Sequence, residues 1–337
     1  MKIVRTDREL EMPRLDAALR AAGHELVLLP DGVSEEDLAR EATDAELLLM
    51  CYTPVTARVI ASVPRLKGIV KYGVGIDAID IEAARARGIP VANVPEYAED
   101  TVAEGTMALM LALVKKVKPI QRAMDSKGWV WPTAQWMGLD LSGKTLGLVG
   151  LGRIGAKVAR MAGPGFRMRV LAFDPHADAA RFVEAEVERR TELRAFLTES
   201  DFVSVHCVLN AGTRGLIGSR ELAAMKPSAY LVNVSRGAIV DEAALLRALQ
   251  ERRIAGAALD VYSQEPLAKA AHPLSALYAM DNVVLSPHLT FFTQEAMERL
   301  EAETLERCIE VLEGRPVTVK SRDPRLRAQT RGVRFAD

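Results

Sequence analysis

The sequence predicts an α/β protein in which parallel sheets carry helices on both faces, arranged as two domains. Three observations predict this. Short apolar runs alternate with helix-like segments, the pattern of a parallel sheet with crossover helices. The alternation occurs twice, once before residue 100 and again from residue 144. A glycine-rich turn, Gly150-Leu151-Gly152-Arg153-Ile154-Gly155, follows an apolar run and opens a helix-like one. The chain's 337 residues exceed one ordinary core and suit two.

In the first series, strands are expected near residues 3–4, 26–29, 47–50, 69–70 and 91–94. Helices are expected over 13–22, 34–42, 56–62 and 80–87, with Ser34 and Asp80 as N-caps. Residues 99–117 read as one long helix ended by Pro119, followed by an irregular stretch holding Trp129, Trp131 and Trp136. The second series has strands near 146–149, 170–173, 202–206, 230–234, 255–261 and 283–285, and a helix over 154–162. After Ser286 comes a long amphipathic helix, about 293–313. From Lys320 the chain is basic and aperiodic, and reads as a surface tail.

Composition narrows the function classes. The 44 basic and 45 acidic side chains give a net charge of −1, so no global field recruits nucleic acid or an anionic membrane. Cys51, Cys207 and Cys308 stand far apart, against a disulfide framework or a structural zinc site and in keeping with a reducing compartment. The N-terminus is charged where a signal peptide needs an apolar core, and the apolar stretch at 107–114 is too short to span a bilayer. These features predict a cytoplasmic enzyme with no metal, nucleic-acid or membrane partner.

The glycine turn has the context of a Rossmann unit: strand before, helix after, and a second strand ending in Asp174, 19 residues past Gly155. Gly150 permits the tight turn, Gly152 lets backbone approach a pyrophosphate, and Gly155 lets helix pack close to strand. The helix N-terminus offers free N–H groups to phosphates. Asp174 accepts hydrogen bonds from a ribose diol and repels a 2′-phosphate, which favours NAD over NADP. Beyond three later strand ends stand Arg236, Glu265 and His288. Hydride addition to a ketone leaves charge on its oxygen, which a histidine near neutral pKa can protonate. A carboxylate on the other ring nitrogen orients the imidazole, and an arginine fork grips a substrate carboxylate. His24 and His272 look like surface residues; His206 ends a strand beside the cofactor groove, and His176 lies near the adenosine.

With these residues in view, the chain resembles the D-isomer-specific 2-hydroxyacid dehydrogenases, a group that includes D-lactate, D-glycerate/hydroxypyruvate and phosphoglycerate dehydrogenases. The resemblance runs from about residue 45 to 315. It rests on KYGVGIDAID (71–80), NVPEYAEDTVAE (93–104), LSGKTLGLVGLGRIG (141–155), NVSRGAIVDEAAL (233–245), ALDVYSQEPL (258–267) and SPH (286–288). It implies a Rossmann cofactor domain, residues 100–289, inserted into a flavodoxin-like substrate domain of residues 1–99 and 290–337. Hinges would lie near Asp100 and Pro287, and a homodimer would form through the cofactor domain. It implies that Arg236, Glu265 and His288 form the catalytic set for hydride transfer between NAD and a small D-2-hydroxy acid. Cofactor contacts map onto Arg153, Ile154, Asp174, Cys207, Val208, Thr213, Val234, Ser235 and Asp260. Substrate contacts map onto the backbone of Val74 and Gly75 and onto Tyr52.

Some residues depart from the family pattern. Phe291-Phe292 follows His288-Leu289-Thr290 where small residues are usual, and either narrows the substrate pocket or faces the core. Cys207-Val208 replaces a common Val-Pro pair, and Met50-Cys51-Tyr52 offers no arginine to a substrate phosphate. The chain also ends too early for an appended regulatory domain of ordinary size. Two other readings share the fold: a formate dehydrogenase, which pairs its histidine with glutamine and so fits Glu265 poorly, and an NADH-sensing corepressor, for which no partner-binding extension is evident.

Overall fold

A computed structural model describes residues 1–336. The first series forms β1 (Lys2–Arg5), α1 (Pro13–Ala21), β2 (Glu25–Leu28), α2 (Glu35–Glu41), β3 (Leu47–Met50), α3 (Ala57–Ser62), β4 (Gly68–Lys71), α4 (Ile81–Ala86) and β5 (Val91–Asn93). The side chains of Ser34, Thr56 and Asp80 accept the N–H groups of Asp37, Val59 and Ala83, so each capping residue satisfies a donor that the helix cannot. The strands pair in parallel in the order β2-β1-β3-β4-β5. LLLM in β3 and GIVK in β4 are buried throughout, the continuous apolar signature of strands covered on both faces.

Next come α5 (Glu99–Val114) and α6 (Val117–Lys127). The single helix expected over 99–117 is therefore two. Lys116 adopts φ 54° and breaks the ladder, and Pro119 sits in the first turn of α6, where no intrahelical N–H is required.

The second series forms β6 (Thr145–Val149), α7 (Arg153–Arg160), β7 (Arg169–Phe173), α8 (Ala179–Glu184), β8 (Glu188–Arg190), α9 (Leu193–Glu199), β9 (Phe202–Val205), α10 (Ser219–Ala224), β10 (Tyr230–Asn233), α11 (Glu242–Gln250), β11 (Gly256–Leu259) and β12 (Val283–Leu285). Its seven strands are all parallel, in the order β12-β11-β10-β9-β6-β7-β8. The order reverses between β6 and β9, the switch point where ligands of open α/β sheets bind. The charged edge strand β8 has no apolar pattern and was not expected; the forks of Arg169 to Glu188 and Arg190 to Glu199 tie it down. The core of this sheet gathers Val149, Phe196, Leu231, Leu245, Leu259 and Val283.

The chain ends with α12 (Gln294–Leu312), β13 (Val317–Val319), α13 (Pro324–Arg327) and β14 (Val333–Phe335). The segment from Lys320, expected to be a surface tail, is folded. β14 pairs in parallel with β13, Leu326 is fully buried, and the Gln329 amide bonds both the N–H and the C=O of Val91 on edge strand β5. Periodicity missed this segment because scattered single side chains such as Gln329 and Leu326, not a repeating face, hold it. The chain divides into two compact units, Met1–Ala98 with Thr293–Asp337, and Glu99–Phe292. Each has its own parallel sheet.

Candidate active site

In the second unit, β10, β11 and β12 are adjacent and parallel, so their carboxyl ends share one sheet edge. At about 4.8 Å per strand, the three ends span about 10 Å. Arg236 lies three residues past β10, and its Nη1 donates to Ser235 O at 2.7 Å. A Cβ on Gly237 would come within 2.1 Å of Ser263 N, so only glycine lets this turn lie against the loop after β11. Glu265 belongs to that loop. Its Oε1 accepts the Tyr262 N–H at 2.9 Å, and its Oε2 lies 2.9 Å from His288 Nδ1. A carboxylate can only accept, so Nδ1 carries the proton and Nε2 is left as the exchanging nitrogen.

His288 itself sits at φ 59°, an uncommon conformation for a side chain that is not glycine. Asp260 holds it there. The Asp260 carbonyl accepts His288 N at 2.7 Å, and its carboxylate takes Leu289 N at 2.8 Å, Thr290 N at 3.1 Å and Thr290 Oγ1. Phe291 is buried with its ring edge-on to the imidazole, centroids 6.2 Å apart, whereas Phe292 is half exposed. The Tyr262 hydroxyl bridges Leu259 O and Ser286 O, and so ties the ends of β11 and β12 together. Sequence reasoning missed this use of Asp260 and Tyr262. The available signal was an aspartate closing the apolar run AAL, where a buried charge demands donors.

The glycine turn lies at the switch point of the same sheet. Gly150 has φ 98°, and a Cβ there would meet Cys207 N at 2.7 Å. A Cβ on Gly155 would meet Gly150 O at 2.5 Å, whereas one on Gly152 would meet nothing within 4 Å. Two glycines thus serve packing, and the third leaves open space in front of the α7 N-terminus, where a pyrophosphate fits. Asp174 Oδ2 accepts Leu151 N at 2.8 Å, and Oδ1 accepts His176 N and Ala177 N. Arg153 pairs with Glu99 at 3.4 Å; Ile154 is half-buried and Val234 buried. The Ser235 hydroxyl bonds Cys207 O, Thr213 Oγ1 donates to Val208 O at 2.6 Å, and Val208 is exposed. Asp260, assigned to the cofactor by resemblance, is fully buried beneath this edge. His206 is half-buried, and desolvation of its ring lowers its pKa to about 3 and keeps it neutral. Burial lifts the Cys207 thiol to about 11. His272, expected at the surface, is buried, with its ring bridging Gln264 O and Leu274 N.

In the first unit, Tyr52 and residues 72–75 follow neighbouring strands β3 and β4. Asp7, buried at φ 55°, accepts Cys51 N at 2.7 Å, Tyr52 N at 3.0 Å, Thr53 N at 3.0 Å and Thr53 Oγ1 at 2.7 Å, and so shapes the loop after β3. Asn93 Nδ2 donates to Val74 O, and Val94 N to Gly73 O, which fixes the loop carrying Val74 and Gly75. Lys71 is buried; its ammonium bonds Cys51 O, lies 3.2 Å from Cys51 Sγ and sits under the exposed Tyr52 ring. Among the described residues, no three His, Cys, Asp or Glu side chains converge to hold a metal ion. No described helix is long and apolar enough to cross a membrane.

Residues 107–290, more than half the chain, match the model of the D-isomer specific 2-hydroxyacid dehydrogenase NAD binding domain. The chain belongs to the D-isomer specific 2-hydroxyacid dehydrogenase family. A glyoxylate reductase of Korarchaeum cryptofilum is 39% identical over 82% of this chain and 82% of that protein. A D-3-phosphoglycerate dehydrogenase of Methanocaldococcus jannaschii is 38% identical over 84% of this chain and 53% of that protein. The chain spans about half the length of the curated phosphoglycerate dehydrogenases that it matches. Among solved structures of the family, the D-lactate dehydrogenase of Aquifex aeolicus, complexed with NAD and lactic acid, superposes with a TM-score of 0.82. It is 30% identical, with 93% of this chain and 96% of that one covered.

Proposed function

We propose that the protein is an NAD-dependent 2-hydroxyacid dehydrogenase, or 2-oxoacid reductase, acting at C2 of a small D-2-hydroxy acid. The observation that carries this is the Glu265–His288 pair, 2.9 Å apart at the carboxyl edge of the sheet that bears the glycine cradle. Bound nicotinamide supplies or receives the hydride. In reduction, His288 Nε2 gives a proton to the oxygen on which charge develops; in oxidation it takes that proton back. Glu265, held by the Tyr262 N–H, orients the ring. Arg236 clamps the substrate carboxylate and polarises the neighbouring carbonyl. By resemblance, substrate contacts in the first unit fall to the backbone N–H groups of Val74 and Gly75 and to Tyr52.

Asp174 supports NAD over NADP. Tyr52 and Lys71 support a short, unphosphorylated acid. The cation nearest the substrate loop is covered by an aromatic ring and bonded to Cys51, so it is not presented to a distal phosphate. A panel of glyoxylate, hydroxypyruvate, pyruvate, 3-phosphohydroxypyruvate and bulkier 2-oxo acids with NADH tests this. We expect the highest kcat/KM on one of the first three. Turnover of none of them, with tight NADH binding, would identify a sensor and not an enzyme.

The reading extends to a cytoplasmic homodimer assembled through the cofactor domain. Trp129, Trp131 and Met137 are 63%, 74% and 72% exposed on one segment of the second unit, an apolar stretch of the kind that marks an interface.

A further inference from the structure

Building on the dinucleotide reading of the glycine turn, we propose that Arg181 is a second determinant of dinucleotide selectivity, a latent partner for a ribose 2′-phosphate that Asp174 keeps away. The two residues grip Leu151 from opposite ends. Asp174 Oδ2 accepts the Leu151 N–H at 2.8 Å, and Arg181 Nε donates to Leu151 O at 3.2 Å. Arg181 Nη2 donates to Gly152 O at 3.1 Å, and Nη1 lies 3.3 Å from Glu184. These contacts place the guanidinium within about 10 Å of the carboxylate, a distance that an arginine side chain can cross by changing its χ angles.

The backbone beneath Arg181 is already fixed, because Asp178 caps its N–H at 2.8 Å. Its present partners are two neutral carbonyls and Glu184, whose side chain is 60% exposed and binds weakly. A phosphate dianion matches the planar fork better than any of these. Native Asp174 opposes that match by repelling a 2′-phosphate. Without Asp174, Arg181 turns from holding the Leu151–Gly152 carbonyls to holding the phosphate.

The test measures Kd for NADPH and NADH by calorimetry on the purified full chain, as wild type, Asp174→Ser, Arg181→Gln and the double variant. Glutamine keeps an amide donor for the turn but removes the charge. Asp174→Ser should tighten NADPH about 10- to 100-fold, the worth of one charge-assisted contact. Adding Arg181→Gln should abolish that gain. A double variant that keeps the gain, or an Asp174→Ser protein that shows none, overturns the proposal; Asp174→Asn serves if the serine variant does not fold. Wild-type protein that fails to bind NADH would instead sink the dinucleotide site itself, which separates the two failures.

Discussion

Single residues at the sheet edge divide into those placed for chemistry and those that hold them. His288 is proposed as the proton donor and Asp260 as its anchor, and the two should fail differently. His288→Ala should lower kcat about 10²–10⁴-fold, the usual worth of a positioned acid. Calorimetric NADH affinity should stay unchanged; an unaltered kcat would remove the histidine from the reaction. Asp260→Ala leaves the Leu289 and Thr290 N–H groups without their acceptor and frees the φ 59° bend at His288. It should cost about 1–3 kcal/mol in urea unfolding as well as activity. Loss of activity at full stability would mean that Asp260 touches the cofactor instead. The ionisable character of Arg236, Glu265 and His288 was legible in the sequence, and so was their position after strands. Asp260's task was not, because hydrogen bonds to residues thirty positions away leave no local pattern.

At the scale of elements, the terminal segment shows how a few polar contacts replace a periodic face. Glu310 on α12 accepts Thr318 N, Thr318 Oγ1, Arg307 Nη1 and Arg334 Nη2, and so joins the helix to β13 and β14. Burial pushes its carboxyl upward, but Thr318 and Arg307 win and hold it at about 2, below the ordinary 4.5. A depressed folded-state pKa contributes stability that is complete above the unfolded value and is lost as pH falls through the folded one. The contribution is of order 3 kcal/mol, present above about pH 5 and fading toward pH 2. Urea midpoints of wild type and Glu310→Gln should therefore differ at pH 7 and converge on acidification. A gap that stays constant down to pH 2 would contradict this account. The strands of the two large sheets were legible from short apolar runs, except β8, whose ERR sequence is ordered by ion pairs at a sheet edge; β13 and β14 were not expected. The break between α5 and α6 was misplaced because Pro119 reads as a terminator, although its first-turn position tolerates it.

The second unit carries an exposed feature that a single chain leaves unexplained. Trp129 and Trp131 meet edge-to-face at 6.3 Å and both face solvent. If they belong to a homodimer contact, wild type should sediment as two chains and Trp131→Ser should shift toward one at low protein concentration. A wild-type monomer at all concentrations would refute the dimer. Substrate choice also belongs to this scale, since it follows from the shape that separate strand ends make together, and a methylene is worth only about 1–3 kcal/mol there.

By itself the sequence determined the α/β class and the glycine turn with its aspartate, and it supplied the residue types proposed for carbonyl reduction. Each of these is written in local periodicity or in fixed spacing along one strand–turn–helix unit. Only the tertiary structure decided that Glu265 reaches His288, that Asp260 and Asp7 lie buried as loop anchors, and that the basic end of the chain folds back onto β5. Those outcomes depend on which strands become neighbours. Neighbours in a sheet are chosen by burying whole faces, which no short stretch of sequence specifies.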